Sequence, residues 1–388
     1  MPPRRILQRE AMPTLTARTL ITAIGSVAYP AITISSDGLI EDISSDPAIH
    51  SEAILAPTFL DIHIHGAKGH DVMDADADGL HAMQRFLARR GTGHYLATTV
   101  TASIDSTLAA LSRLADAIDR ATPEDEAIPV GIHLEGPFLS HAKRGVHQTE
   151  FLQPPSIELF DRFQQAARGH ILLLTIAPEN EGSRDLIRHA AQAGVRVSLG
   201  HTNATASEAR AAIAAGATSA THTYNAMRAL DHREPGVLGV VLDDQRLYAE
   251  LICDGIHVAP ELVRLWLRLK AERAMLITDG ISATGMGDGR FALGPLAVDV
   301  KDGRCSLAGS PQTLAGSVLT LDRAVANLMA ITGCTLEQAV RCASSQPATM
   351  LGVDASIASL RQGQPASFNR YNAAGQLEAT CLYGKFLT

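Results

Sequence analysis

Eight short apolar runs alternate with amphipathic segments between residues 57 and 289, and this rhythm constrains the fold more than any other feature of the chain. The runs are "PTFLDIHIHG", "GHYLATTVTA", "IPVGIHLEGPF", "HILLLTIAPEN", "VRVSLGHTNA", "ATSATHTYNAM", "YAELICDGIHV" and "AMLITDGISA". Near-continuous Val, Ile and Leu imply strands buried on both faces, as in a parallel sheet covered by helices. Segments such as "DGLHAMQRFLARRG", "SIDSTLAALSRLADAIDRA" and "APELVRLWLRLKAE" supply the helices. Eight strand-then-helix units in roughly 230 residues predict an α/β chain built on a (β/α)8, TIM-like barrel. A doubly wound sheet would call for a Gly-x-Gly-x-x-Gly phosphate turn, which the sequence lacks.

The two ends read differently. Residues 13–56 alternate like strands around a Ser-Asp-Gly turn, and "LAVDVKDGRCSLAG" carries a Lys-Asp-Gly hairpin signal. The expected organisation is an N-terminal part of a small β-sandwich (1–56), the metal-dependent barrel (57–289), a sandwich insertion (290–311), barrel-completing helices (312–354) and a C-terminal sandwich part (355–388). The sandwich is thus expected to draw on both chain ends, with the insertion pairing to them. The N-terminus superficially resembles an export signal, but Thr, Arg and Gly break its apolar part, and either Met1 or Met12 could be the true start.

Composition narrows the partners. The formal charge of −8 offers no basic stripe for nucleic acid. No run reaches the roughly 18 apolar residues of a membrane span. Five cysteines stand far apart with no Cys-x-x-Cys pair, which fits free thiols in a reducing compartment and a cytoplasmic protein.

In such a barrel the chemistry sits where the strands end. His63 and His65 close the first run and share a strand face, because side chains two apart point the same way. Glu135 ends the third run, His201 the fifth, His222 the sixth and Asp279 the eighth, while His257 follows the seventh. Each alone could be a cap or an ion-pair partner. Six such residues at matching strand ends point to one shared site. His133 lies one pleat deeper and reads as a buried, hydrogen-bonded core residue; His94, His189 and His232 fit helix or loop surfaces. Imidazoles with carboxylate suit zinc or a similar transition ion, and Asp279 can move a proton beside it. The chemistry this implies is metal-assisted hydrolysis of an amide-like bond.

These residues resemble the amidohydrolase superfamily and, within it, the N-acetylglucosamine-6-phosphate deacetylases, over nearly the whole chain. "HLEGPF", "THTYNAM" and "REPG" together are specific to that family, whereas His-x-His marks only the superfamily. The resemblance implies that Glu135, His201 and His222 hold a principal metal and that Asp279 is the general base and acid. It places Val146 and His147 of "RGVHQ" near the acetyl group or sugar, and Asn225 and Ala226 at the substrate. Leu314, Ala315 and Gly316 would line the sugar, and Arg233, with Asp254 and His257 of "CDGIH", would meet phosphate and sugar. It further implies a divalent cofactor, zinc first, with Fe2+, Mn2+ or Co2+ as alternatives. Because His63 and His65 are kept beside a bridging Glu135, a site able to bind two ions is expected, with one or two per chain.

The resemblance also implies a homodimer in which a neighbouring subunit completes the phosphate pocket. The expected substrate is an N-acetylhexosamine 6-phosphate, with the galactosamine epimer or another N-acyl or cyclic amide as alternatives. A non-catalytic barrel would have lost ligands or the acid, and this chain retains all of them. Two departures stand out: Gly280 where alanine is frequent, and Ser367 where an acid is common.

Overall fold

The computed structural model describes residues 14–122, 125–353 and 355–387; the choice between Met1 and Met12 lies outside them. Eight parallel strands form one sheet in sequence order: β1 (Phe59–Ile64), β2 (Thr92–Thr99), β3 (Ile128–Glu135), β4 (Ile171–Ile176), β5 (Arg196–Leu199), β6 (Ala217–Ala220), β7 (Tyr248–Ile252) and β8 (Ala274–Ile277). Helices follow the strands in turn: α1 (Ala77–Arg89), α2 (Ile104–Arg120), α3 (Ile157–Ala166), α4 (Ser183–Gln192), α5 (Ala206–Ala215), α6 (Gly236–Asp243), α7 (Pro260–Lys270) and α8 (Leu321–Thr332). One apolar cluster fills the space between sheet and helices, including Phe59, Ile132, Leu174, Val241, Trp266 and Leu328. Burying each large apolar side chain contributes about 1.5–3 kcal/mol.

Polar residues set where the helices begin. Asp76, Ser103 and Ser156 each accept a backbone N–H of the first turn of α1, α2 and α3. Thr205 and Glu208 form a reciprocal capping box on α5. Such caps contribute about 1 kcal/mol each.

The barrel closes between β8 and β1 near its mouth. Asp279 N–H donates to His63 O at 2.8 Å, and the His65 and Gly66 N–H groups both donate to Gly280 O. Deeper in the seam, the fully buried Asp61 carboxylate accepts Thr278 Oγ1–H at 2.6 Å. Burial pushes the Asp61 carboxyl up to about 7, against the pull of these hydrogen bonds.

The chain ends meet in a six-stranded sheet, which packs beside a three-stranded sheet of N-terminal strands. Ile54–Pro57 pairs antiparallel with Phe368–Tyr371 and parallel with Thr19–Thr22, joining N-terminal and C-terminal strands in a six-stranded sheet. A three-stranded sheet of Thr14–Thr16, Pro30–Ile34 and Ile40–Ser45 shares a core with it through Leu20, Ile32, Ile40, Leu55 and Phe368. At the departure site, Ser367 Oγ accepts the Tyr383 N–H.

The insertion corrects an expectation. Gly289–Leu293, Leu296–Lys301, Arg304–Leu307 and Ser310–Leu314 form their own antiparallel four-stranded sheet and, among the described residues, pair with no terminal strand. Its apolar face, Leu293, Val298, Val300 and Cys305, packs instead on Ile281, Ala283 and Ala315. The segment therefore belongs with the barrel mouth. All five cysteines are free. Among the described residues no helix is long and apolar enough to cross a membrane.

Candidate active site

A cavity of about 410 Å³ opens at the C-terminal ends of the strands. His65, Glu135, His201, His222 and Asp279 line it together with Val146, His147, Asn225, Ala226, His257, Leu314 and Gly316. Glu135 is the hub. Its carboxylate lies 3.5 Å from His63 Nε2, 3.3 Å from His65 Nε2, 3.3 Å from His201 Nε2 and 3.2 Å from His222 Nε2. His147 Nε2 stands slightly farther off, at 3.8 Å. Asp279 Oδ1 approaches His63 and His65 at 3.4 and 3.2 Å.

Three of these rings share a pattern that fixes their tautomers. His65 Nδ1–H donates to Thr98 O at 2.9 Å, His201 Nδ1–H to Lys143 O at 3.0 Å, and His63 Nδ1–H to the Glu250 carboxylate at 3.2 Å. With the proton on Nδ1, each Nε2 lone pair faces a Glu135 carboxylate oxygen, and those of His63 and His65 also face Asp279 Oδ1. Acceptors crowded against acceptors need a shared cation, and outward donation from metal-ligating imidazoles is how such rings are held. His63 Nε2 and Glu135 Oε1 are buried without any hydrogen-bond partner, as expected of atoms built to face an ion. Two groups of donors lie close enough to hold one: His63, His65 and Asp279; and Glu135, His147 and His201.

Charge follows the same geometry. Burial would raise the Glu135 carboxyl, but positive charge on the surrounding imidazoles, His63 foremost, holds it well below the usual range, and a bound cation would supply that charge in place of the ring protons. Burial likewise opposes ionisation of Asp279, and His63 and His65 more than offset it, bringing that carboxyl down to about 2. His147 is the reverse case. Burial, aided by nearby His201, pushes its imidazole well below the ordinary value. Its Nδ1 meets the Thr101 hydroxyl at 2.8 Å, with the Thr101 N–H also directed at it, and its Nε2 faces Glu135.

The backbone at these positions is strained. His201, His222 and Asp279 have φ of +46°, +29° and +51°, a region that L-residues enter at a cost of order 1–3 kcal/mol. Neighbouring groups hold it in place. Thr202 exchanges backbone hydrogen bonds with the 226–228 loop, Asn203 N–H donates to Glu179, and Ser317 N–H donates to Asp279 O. Gly316 is required beside this last bond, because a Cβ there would sit 2.4 Å from Ile281 and 2.9 Å from Asp279 O. At Gly280 a Cβ would come within 3.0–3.1 Å of the Thr284 and Thr278 hydroxyls, so alanine would be tight here.

Three residues expected at the substrate do not line the cavity of their own chain. Ala315 is buried against the insertion sheet and leaves the cavity to its neighbours Leu314 and Gly316. Asp254 lies behind His257, accepting its Nδ1–H at 2.7 Å, and so orients the ring that does line the cavity. Arg233 is exposed on the loop before α6 and does not line the cavity of its own chain. His133 is a buried core residue bonded to Thr175 Oγ1 at 2.7 Å, as expected. His94 is not on a helix or loop but within β2, where burial pushes its imidazole down to about 4.

Sequence reasoning missed Glu250, Thr98, Thr101, Glu179 and Lys143. Of these only Glu250 left a signal, an acid in the middle of the apolar run "YAELI".

A protein-family model for the amidohydrolase family matches residues 54–378. The chain belongs to the amidohydrolase family. It is 40% identical to the N-acetylgalactosamine-6-phosphate deacetylase of Escherichia coli O157:H7, over 91% of this chain and 93% of that one. It is 37% identical to the N-acetylglucosamine-6-phosphate deacetylase of Vibrio furnissii, over 92% and 90%. Among solved structures, the Mycobacterium smegmatis N-acetyl-D-glucosamine-6-phosphate deacetylase, a variant in complex with N-acetyl-D-glucosamine-6-phosphate, superposes with a TM-score of 0.90. That match has 34% identity and covers 97% of this chain and 99% of that one. Family membership together with the two donor groups implies a divalent metal.

Proposed function

We propose that this enzyme hydrolyses the acetamide of N-acetyl-D-glucosamine 6-phosphate to D-glucosamine 6-phosphate and acetate. The observation that carries this is the convergence of four imidazole Nε2 atoms on the single buried carboxylate of Glu135, with Asp279 against two of those rings. The deacetylases named above, alike over more than nine-tenths of the chain, support the substrate class. In this reading Glu135, His201 and His222 would hold the principal ion, and His63 and His65, together with Glu135, would hold a second. Zinc suits the donor set best, with Fe2+, Mn2+ or Co2+ as alternatives. A bound divalent ion supplies Lewis acidity at the acyl oxygen and an acidified water near neutral pH.

The chain's own groups do the rest. Asp279, ionised at neutral pH, takes a proton from the attacking water and returns it to the departing nitrogen. His147 orients the acetyl group. Asn225, Ala226, Leu314 and Gly316 bound the sugar, and His257, turned by Asp254, reaches toward the phosphate.

Arg233 fits the phosphate as well, because its planar fork can give two charge-assisted hydrogen bonds. Its exposed position outside its own cavity supports a homodimer in which it serves the neighbouring subunit. Replacing it, Arg233→Ala, is expected to raise KM for the phosphorylated sugar by about 10- to 100-fold with kcat little changed. An unchanged KM takes Arg233 out of the phosphate pocket. Five free cysteines support a cytoplasmic setting.

A second reading, the galactosamine epimer, is favoured by the 40% identity to the Escherichia coli protein. One kinetic panel decides between them. Both 6-phospho-N-acetylhexosamines and their unphosphorylated forms are assayed with chelator-treated and metal-reconstituted enzyme. Turnover of the glucosamine substrate that vanishes on chelation and returns with metal is expected. A higher kcat/KM for the galactosamine epimer would reverse the choice of substrate, and equal rates without the phosphate would remove both.

A further inference from the structure

We propose that Glu250 is the positioning residue of this centre, one carboxylate oxygen setting both the ring of His63 and the backbone of His222. Glu250 sits within β7, completely buried in the barrel interior. A lone acid in that setting is disfavoured unless it is bonded, since burial strips a carboxylate of its water. Its Oε2 is bonded twice. It accepts the His63 Nδ1–H at 3.2 Å and the His222 backbone N–H at 3.1 Å. Its backbone carbonyl accepts the Thr223 N–H at 2.9 Å. One residue therefore secures two consecutive peptides where the chain turns through His222, whose φ is +29°. The same oxygen also reaches across the barrel to β1.

The consequence for His63 is chemical. The oxygen that accepts the His222 N–H also faces His63 as an acceptor, so the ring keeps its proton on Nδ1 and presents Nε2 as a lone pair toward Glu135 and Asp279. Without that acceptor, a buried Nδ1–H has no partner, and the other tautomer becomes the better one. That tautomer donates Nε2–H to Glu135 or Asp279 and takes the lone pair away from any ion. No other side chain holds His63 Nδ1 among the described residues. Glu250 touches neither the cavity nor the substrate positions, which is why it acts through the two histidines and not on the reaction directly.

The proposal rests on the two-ion reading of the site, and the test separates the two. Wild-type protein, Glu250→Leu and Glu250→Gln are stripped of metal and titrated with Co2+, following bound cobalt by elemental analysis and its visible absorption. Circular dichroism reports folding. Leucine fills a similar volume and removes a buried charge, and glutamine keeps a carbonyl oxygen able to accept both N–H groups. Glu250→Leu is expected to bind Co2+ about 10- to 100-fold more weakly, the usual effect of losing an outer partner of a ligand. Its cobalt spectrum should change, kcat should fall, and KM should stay near wild type.

Glu250→Gln is expected to stay within a factor of about three of wild type in Co2+ affinity, as a retained hydrogen bond predicts. A folded Glu250→Leu that binds Co2+ as tightly as wild type overturns the proposal, as does a Glu250→Gln that weakens as much as leucine. Should leucine fail to fold, glutamine decides alone: wild-type-like binding supports the assignment, and a tenfold loss ends it. A wild-type ceiling of one Co2+ per chain would remove the second ion only. Glu250→Leu must then weaken that single ion through His222, or the proposal fails too.

Discussion

Asp279→Asn is expected to lower kcat by about 10²- to 10⁴-fold, the range that a positioned acid or base contributes, while KM moves little. The amide keeps the size and one oxygen of the carboxylate, so its contacts with His63 and His65 survive in outline. It cannot take a proton from water. The backbone of residue 279, with φ +51° and bonds to His63 and Ser317, is a conformation that asparagine tolerates well. Steady-state kinetics beside elemental analysis is the check: metal content should match wild type while turnover collapses. Near-normal turnover would mean that another group moves the proton.

The second large effect is at Glu135. Four imidazoles lie within 3.5 Å of its carboxylate and a fifth at 3.8 Å, so its charge is the one anion common to all of them. Glu135→Gln removes that charge and offers N–H donors to ring nitrogens that should face an ion. Metal affinity is expected to fall by more than about 100-fold, beyond the 10- to 100-fold seen for outer-shell partners. Chelator-treated wild type should regain activity with added Zn2+, and the variant should not. A variant that binds Zn2+ as wild type does would move the ion away from Glu135 and undo the proposed ligand set.

How much of this was written in the sequence depended on how local each signal is. Barrel strands were legible because burial on both faces leaves unbroken runs of Val, Ile and Leu. Their ends located His63, His65, Glu135, His201, His222 and Asp279 at one mouth, and these are the residues that the fold brings together. The strands at 289–314 were legible as strands, but hairpin turns do not say which sheet a meander joins. That was decided by the apolar face of Val298 and Val300 meeting Ile281 and Ala283.

Arg233 shows the same limit in a loop, where residue type suggests a ligand and nothing local states where the side chain ends up. Asp254 came only from the resemblance, and nothing local in the sequence told that its carboxylate accepts the Nδ1–H of His257. Glu250 was hidden for a different reason. An acid inside a strand has no motif, and its meaning appears only once β1, β6 and β7 are set around it.

The way the barrel closes has a consequence for when the protein can work at all. Asp61 and Thr278 are 217 positions apart, yet they and the adjoining peptides stitch the first strand to the last beside the residues that carry the chemistry. A ribosome must therefore finish nearly three-quarters of the chain before any competent centre exists, and a fragment lacking the eighth strand should be silent, not merely slow.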